Sequence, residues 1–322
     1  EEQIYKNKVI KISDKKILKK INLRNKTLNK LETLFFQNNN IINKILGKKE
    51  LKFNGISIDT RTIKKNNLFL GIKGKKFDGN NFVFDALKKG AGCVVSSSKI
   101  KKKKSKKILF VKDSIYFLNE FARLKRKLSS AKIVAVTGSA GKTSLKNLIN
   151  ELLQKFGQTY SSPRSFNNHL GVPISLSNLS FEDKFGIFEV GMSKAGEIKK
   201  LTKLIKPDIG IITNIGEAHI ENFKNIHGIA KAKSEIIEHI NTGGTVILNR
   251  DDKFFHYLNQ KAKAYKLKSI SFGTHKKSDV RVHKVFKKDN HFKISIKINN
   301  EKINLEIGDI NIYNVLSSLA VL

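Results

Sequence analysis

At 322 residues the chain is long enough for two or more domains, and its single cysteine, Cys93, excludes an internal disulfide framework and suits a reducing cytoplasm. The net charge of +36 is carried by 63 lysines and arginines against 27 acidic residues, scattered with asparagine and isoleucine through every segment. That scatter argues against a built nucleic-acid groove, and no run is long and apolar enough to insert in a membrane or serve as a signal peptide.

Residues 1–27 are polar and lysine-rich, with an amphipathic helix expected around Lys15 to Ile21. From Leu28 to Leu46 apolar residues recur at helical spacing. A small α/β unit is expected next: alternation at Ile56 and Ile58, an apolar run from Leu68 to Ile72, a helix from Phe82 to Lys89 ended by Gly90, and a strand at Cys93 to Val95. The dense run Lys99 to Lys107 has no interleaved aromatics for base stacking and reads as a solvated loop. Ile108 to Lys112 reads as a strand and Ser114 to Leu128 as a helix leading into a second unit.

The second unit opens on KIVAVTGSAGKTSLKNL, Lys132 to Leu148. Ile133 to Val136 form a buried-strand run; Ser144 to Phe156 shows helical spacing; Thr137 to Thr143 turns the chain between them. Such a glycine loop at a helix N-terminus cradles phosphate. Gly138, Ser139, Ala140 and Gly141 bring backbone N–H groups to the anion, Lys142 reaches the terminal phosphates, and the Thr143 hydroxyl faces Mg²⁺, with Ser144 opening the helix. The T-G-x-x-G-K-T spacing is shorter than the common G-x-x-x-x-G-K-[ST], which would need glycine at Val136. Strands are then expected at Gly157 to Ser162, Phe185 to Val190, Ile209 to Thr213 and Thr245 to Asn249, and helices at Gly196 to Leu204 and Ile226 to Ile240. This β-then-α alternation predicts a mostly parallel, doubly wound sheet with its ligands at the strands' carboxyl ends, where Gly138, Glu189, Asn214 and His219 fall. Short alternating runs from Ile270 to Ile307 predict an antiparallel β appendage, and a helix begins at Asn311.

In order, TGSAGKTS, SFNNHLGVP, FEVGMSKAGEI, TNIGEAHIENF and IAKAKSEI resemble the central domain of the Mur ligases, the ATP-dependent amide-forming enzymes of peptidoglycan precursor synthesis. SIDTR…LFLGIKGKKFDGNNF resembles their UDP-binding N-terminal domain. The paired asparagines and the GEI and AKxEI contexts point within the family to the MurF type, which joins D-alanyl-D-alanine to UDP-N-acetylmuramoyl-tripeptide through an acyl phosphate. The resemblance implies an N-terminal UDP domain over 28–112 and an ATP domain over 113–322, and a C-terminal domain that nothing in this sequence matches. It also implies residue roles. Glu189 and His219 match metal ligands alongside Thr143, and Lys233 aligns with the lysine that is carbamylated in relatives. Asn167 and Asn168 line the acyl-substrate channel; Ser57, Thr60, Arg61, Lys73, Asp78 and Asn80 match the UDP-contacting segments; Asn311 and Asn314 stand near the adenine. Taken singly, Lys233 reads as one more lysine on a helix face. The sequence departs from the family at Ala140, Asn80 and Ile310, where Asn, His and His are common.

Residues 1–21 resemble the tail of the preceding ligase type, MurE, which implies a fused or bridging reading frame. A cytoplasmic monomer is expected, without nucleic-acid partners, and with little activity in isolation if the ATP-closing domain is missing. The alternatives are a MurE-type or folylpolyglutamate-type ligase that adds an amino acid and, from another class, a basic nucleic-acid-binding P-loop ATPase.

Overall fold

The structure is a computed structural model that describes residues 38, 40–47, 51–98, 105–164, 166–288, 291–298, 301–307 and 311–322. The helix expected at Lys15 to Ile21, most of the one from Leu28 to Leu46, and the departure at Ile310 lie outside them. The chain divides into two compact units, one ending at Ser114 and one beginning at Ile115.

The first unit is a four-stranded parallel sheet in the order β1 (Gly55–Ser57), β2 (Asn67–Leu70), β3 (Cys93–Ser96) and β4 (Ile108–Phe110). Strands β2 and β3 are buried almost throughout, as a parallel sheet covered on both faces requires. Between them a 3₁₀ turn, Gly79–Phe82, leads into α1, Val83–Lys88, whose Val83 and Ala86 pack with Phe69, Ala91 and Val94. Gly90 at φ +91° ends the helix as expected.

The second unit contains a nine-stranded sheet. Its order is β13 (Glu301–Ile307), β12 (His291–Ile298), β11 (Val280–Lys288), β10 (Lys268–Gly273), β9 (Thr245–Asn249), β8 (Ile209–Ile212), β5 (Lys132–Thr137), β7 (Phe185–Glu189) and β6 (Thr159–Ser161). From β6 to β11 every pairing is parallel; only β11–β12 and β12–β13 are antiparallel. The antiparallel part is therefore narrower than the alternation from Ile270 suggests. Strand β10 is an inner member of the parallel sheet, and its burial rises along its length, from exposed Lys268 to buried Gly273.

The helices are α2 (Ser114–Leu128), α3 (Lys142–Gln154), α4 (Gly171–Asn178), α5 (Glu197–Ile205), α6 (Ile226–Lys233), α7 (Phe255–Ala264) and α8 (Ile312–Leu319). Two of them, α4 and α7, have no counterpart in the sequence reading. In α4 every residue from Gly171 to Ser177 is buried, so the segment shows no amphipathic period to detect. The helix expected from Ile226 to Ile240 is an α-helix only to Lys233 and continues as a 3₁₀ turn, Ser234–His239. Two apolar clusters cover the sheet, one built on Phe188, Ile212, Ile236 and Leu248, the other on Val136, Leu145, Ile211 and Leu316. Strand β5 lies between β7 and β8, and the chain's crossovers diverge from it, so a crevice opens at its carboxyl end.

Candidate active site

The loop after β5 fills that crevice. Gly138 at φ +147° comes so close to β8 that a Cβ would sit 1.8 Å from the Thr213 hydroxyl, and Gly141 at φ +79° is the left-handed N-cap of α3. Both positions demand glycine. The loop is braced from the next strand. Asn214 Oδ1 accepts from the N–H groups of Ser139 (3.1 Å) and Ala140 (2.9 Å), Thr213 Oγ1 donates to the Ala140 carbonyl, and the Ser139 hydroxyl donates to the Gly216 carbonyl. No side chain caps α3, so its first-turn amides point their dipole at the crevice.

Lys142 curls back over this loop, its Nζ donating to the Gly138 carbonyl at 2.9 Å. One residue on, the Thr143 hydroxyl donates to Glu189 Oε2 at 2.7 Å. Glu189 ends β7, is 2% exposed, and accepts on its other oxygen from Asn167 Nδ2 at 2.8 Å. Its backbone N–H donates to the Ser162 hydroxyl. Asn168 turns inward on the chain: its Oδ1 accepts from the N–H groups of Leu170 and Gly171, in the turn just before α4.

A cavity of about 680 Å³ brings Gly138, Ser139, Lys142, Asn167, Asn168, His219 and Lys233 together. Lys233 is 2% exposed, and its ammonium has no carboxylate partner among the described residues. Burial, with the positive charge of Lys142 adding to it, pushes Lys233 down to about 7. Burial lowers Lys142 too, with the Glu189 carboxylate opposing. His219 sits in the left-handed region at φ +65° with its ring half exposed, and Nδ1 stands 3.8 Å from Glu221. Among the described residues no three His, Cys, Asp or Glu side chains form a metal-holding cluster. The Thr143 hydroxyl and Glu189 carboxylate, already in contact, are nevertheless hard-oxygen groups of the kind that Mg²⁺ favours.

On the other side of the loop a smaller cavity of about 140 Å³ is lined by Ala140, Gly141, Asn249, Phe272, Asn311 and Asn314, among others. Asn311 Oδ1 caps α8 through the Tyr313 N–H, which leaves its NH₂ group to the cavity. The loop thus separates a small space lined by asparagines, Phe272 and Tyr313 from a large one that holds Lys142 and Lys233. Of the remaining loop residues, Ser144 is exposed in the first turn of α3.

The six first-unit residues lie at or beyond strand ends. Ser57 ends β1 and its hydroxyl bonds Asp59; the Thr60 carbonyl accepts from Lys89 Nζ. Arg61 forks onto Asp59 through Nε and Nη2 (2.7 Å), and the pair holds the Asp59 carboxyl down at about 2. Lys73 and Asp78 form a one-residue antiparallel bridge. Asn80 is 6% exposed and fully engaged: its NH₂ donates to Asp78, while Oδ1 accepts from the Ser96 hydroxyl and the Ser97 N–H.

Asn214, placed by the sequence at a strand's carboxyl end, is the residue that braces the loop. Sequence reasoning missed other groups that shape the site. Lys146 and Ser162, behind Glu189, carried no signal apart from the fold. Glu235 stands in the AKxEI context but was given no role; its carboxylate accepts from the N–H groups of Gly196 (2.7 Å) and Lys199 (2.9 Å) and so caps α5, a wall of the large cavity.

The family profile described as Mur ligase middle domain matches residues 136–322, and the one described as Mur ligase family, catalytic domain, matches residues 52–142. Over 291 residues the chain is 36% identical to a UDP-N-acetylmuramoyl-tripeptide--D-alanyl-D-alanine ligase of Buchnera aphidicola subsp. Acyrthosiphon pisum, covering 87% of this chain and 61% of the relative. Among solved structures it superposes on MurF from Acinetobacter baumannii with TM-score 0.77 at 26% identity, covering 88% of this chain and 63% of that one. It also superposes on MurF from Thermotoga maritima in complex with ADP, with TM-score 0.71 at 26% identity, covering 83% and 62%. The chain thus spans less than two thirds of the length of these relatives.

Proposed function

The chain belongs to the Mur ligase family, and from that premise we propose that it supplies the UDP-binding and ATP-binding parts of a MurF-type ligase, which joins D-alanyl-D-alanine to UDP-N-acetylmuramoyl-tripeptide. The observation that carries this reading is the line of contacts from Lys142 and Thr143 through Glu189 to Asn167, on a cavity shared with His219 and Lys233.

A carboxylate resists attack by an amine. Transfer of the ATP γ-phosphoryl group to the tripeptide's terminal carboxylate makes an acyl phosphate; the dipeptide's amine then displaces phosphate and forms the amide. The protein's part is to position and to neutralise charge. Lys142 and the first-turn amides of α3 hold the phosphates, the small cavity with Asn311 and Asn314 takes the adenine, and Asn167 and Asn168 face the acyl chain. Thr143 and Glu189 would hold one Mg²⁺ and His219 a second, and the ions would draw charge from the phosphate oxygens. Lys233, with a pKa near 7, supplies a neutral amine at neutral pH that can add to the carbon of CO₂ and lose a proton. The resulting carbamate turns a cation into an oxygen ligand of the kind Mg²⁺ prefers. In the first unit, Ser57, Thr60, Arg61, Lys73 and Asp78 serve the UDP moiety, with Arg61 exchanging Asp59 for a diphosphate; Asn80 holds their loops together.

No described helix is long and apolar enough to cross a membrane, which fits a cytoplasmic enzyme acting on nucleotide-linked substrates. The reading frame that carries this chain, supplied with ATP, Mg²⁺ and the UDP-linked tripeptide, is expected to release ADP with D-alanyl-D-alanine and not with single amino acids. Preference for a single amino acid would move it to the MurE or folylpolyglutamate type. ATP hydrolysis stimulated by DNA or RNA, with binding that falls steeply in salt, would replace the ligase by a nucleic-acid-dependent ATPase.

A further inference from the structure

Lys146 lies one helical turn beyond Lys142 on α3, yet it points to a different place. Its side chain is 2% exposed, and its ammonium donates to two main-chain carbonyls of the turn that follows β6, those of Ser162 and Arg164 (3.1 Å). The Glu189 charge acts on Lys142 and Lys146 alike, so one carboxylate offsets the burial of ammonium groups from successive turns of one helix. A buried cation is costly unless it is paired and hydrogen-bonded, and an apolar side chain would fill the same space without that cost. The turn it holds is itself strained: Arg164 adopts φ +43°, a left-handed conformation disfavoured for a non-glycine residue. The turn also has two outputs. The Ser162 hydroxyl accepts the Glu189 N–H, and beyond Arg164 the chain brings Asn167 to Glu189 Oε1 while the Asn167 carbonyl accepts from Gly191.

We propose that Lys146 is a positioning residue for the metal-binding end of the site: its ammonium pins the 162–164 turn, and the turn orients the Glu189 carboxylate and the Asn167 amide. The inference rests on the ligase reading for the identity of the metal and nucleotide, but the pinning itself does not. Lys146 touches no substrate; it acts through Ser162 and Asn167.

The test is Lys146→Met, which keeps the length of the side chain and removes the ammonium. Hydrogen exchange in the ligand-free protein reads the pinning: the amides of Phe166, Glu189 and Gly191, each bonded within or onto this turn, are expected to exchange at least tenfold faster. Those of α3 should stay protected. Calorimetric titration with ATP, with and without Mg²⁺, reads the consequence. Affinity without metal should stay within threefold of the parent, and the gain conferred by Mg²⁺ should fall at least tenfold. Unchanged exchange, or α3 opening together with the turn, overturns the proposal, since Lys146 would then be idle or merely hold the helix. An equal loss of affinity with and without metal overturns it as well. If Lys146→Met does not fold, Ser162→Ala removes only the hydroxyl that accepts the Glu189 N–H, and about a threefold loss of the Mg²⁺ gain is expected, no loss counting against. A parent protein that binds ATP in neither condition would end the nucleotide reading, while the exchange rates would still decide the role of Lys146.

Discussion

The two units manage charge in opposite ways. In the first, the groups expected to meet ligand are satisfied by their neighbours: Arg61 forks onto Asp59, and Asn80 spends its whole amide on Asp78, Ser96 and Ser97. In the second, Lys142 and Lys233 are brought to one cavity although each lowers the comfort of the other, and Lys233 has no carboxylate beside it among the described residues. Self-satisfied polar groups keep a loop's shape and give way to a ligand by exchange. Like charges gathered in a partly buried cavity raise the free energy of the protein locally and lower it when an anion enters. The second pattern is the stronger mark of a phosphate site, because folding alone gives no reason for it.

That contrast can be broken most directly at Lys142. Lys142→Ala removes a charge-assisted contact of about 1.5–3 kcal/mol, so ATP affinity measured by calorimetry should fall about 10- to 100-fold, with the melting temperature held or raised. A lower melting temperature would mean that the lysine serves the fold. Next is Asn80→Ala, the mirror case. It leaves the Ser97 N–H without its acceptor and takes one partner from the Ser96 hydroxyl, and should destabilise the first unit by about 1–3 kcal/mol, seen as a lower urea midpoint in that unit.

Lys233 tests the second pattern through pH. Its folded pKa of about 7 lies below the unfolded value of 10.5, so between these limits the unfolded chain binds more protons and stability rises with pH. The penalty is present in full below pH 7 and has gone by about pH 10.5. Lys233→Met should therefore raise the melting temperature at pH 6 by several degrees, by roughly 2–4 °C for each kcal/mol relieved, and leave it unchanged near pH 10.5. A gain of equal size at both pH values would show packing rather than charge at work. The smallest effect belongs to Arg61→Ala: with a side chain 84% exposed, its loss should leave the melting temperature unchanged and weaken UDP binding a fewfold. A clear fall in stability there would show that the Asp59 pair is structural.

How far sequence carried follows from the same physics. The phosphate loop was legible because strand, glycines and helix start each leave a local trace, and the structure begins α3 at Lys142, two residues before its apolar spacing becomes visible. Strand β9 and helix α2 match their expected bounds because each buries one clear face or run. Helix α4, buried all round, left no period, and α7 was passed over although it buries only Phe255, Leu258 and Ala262. In the site, Glu189 and Asn167 were legible as members of motifs. Their contact, and the support from Ser162 and Lys146, depends on residues that only the crossover of β6 past β7 brings side by side.

Glu235 joins two parts of the molecule that a reader of the chain would treat apart. It follows Lys233 along the same turn, yet both its oxygens are spent on the opening amides of α5. The main chain after Lys233 and the start of α5 are therefore tied through this one side chain. The turn that carries the buried amine and the helix that walls the large cavity share a single carboxylate.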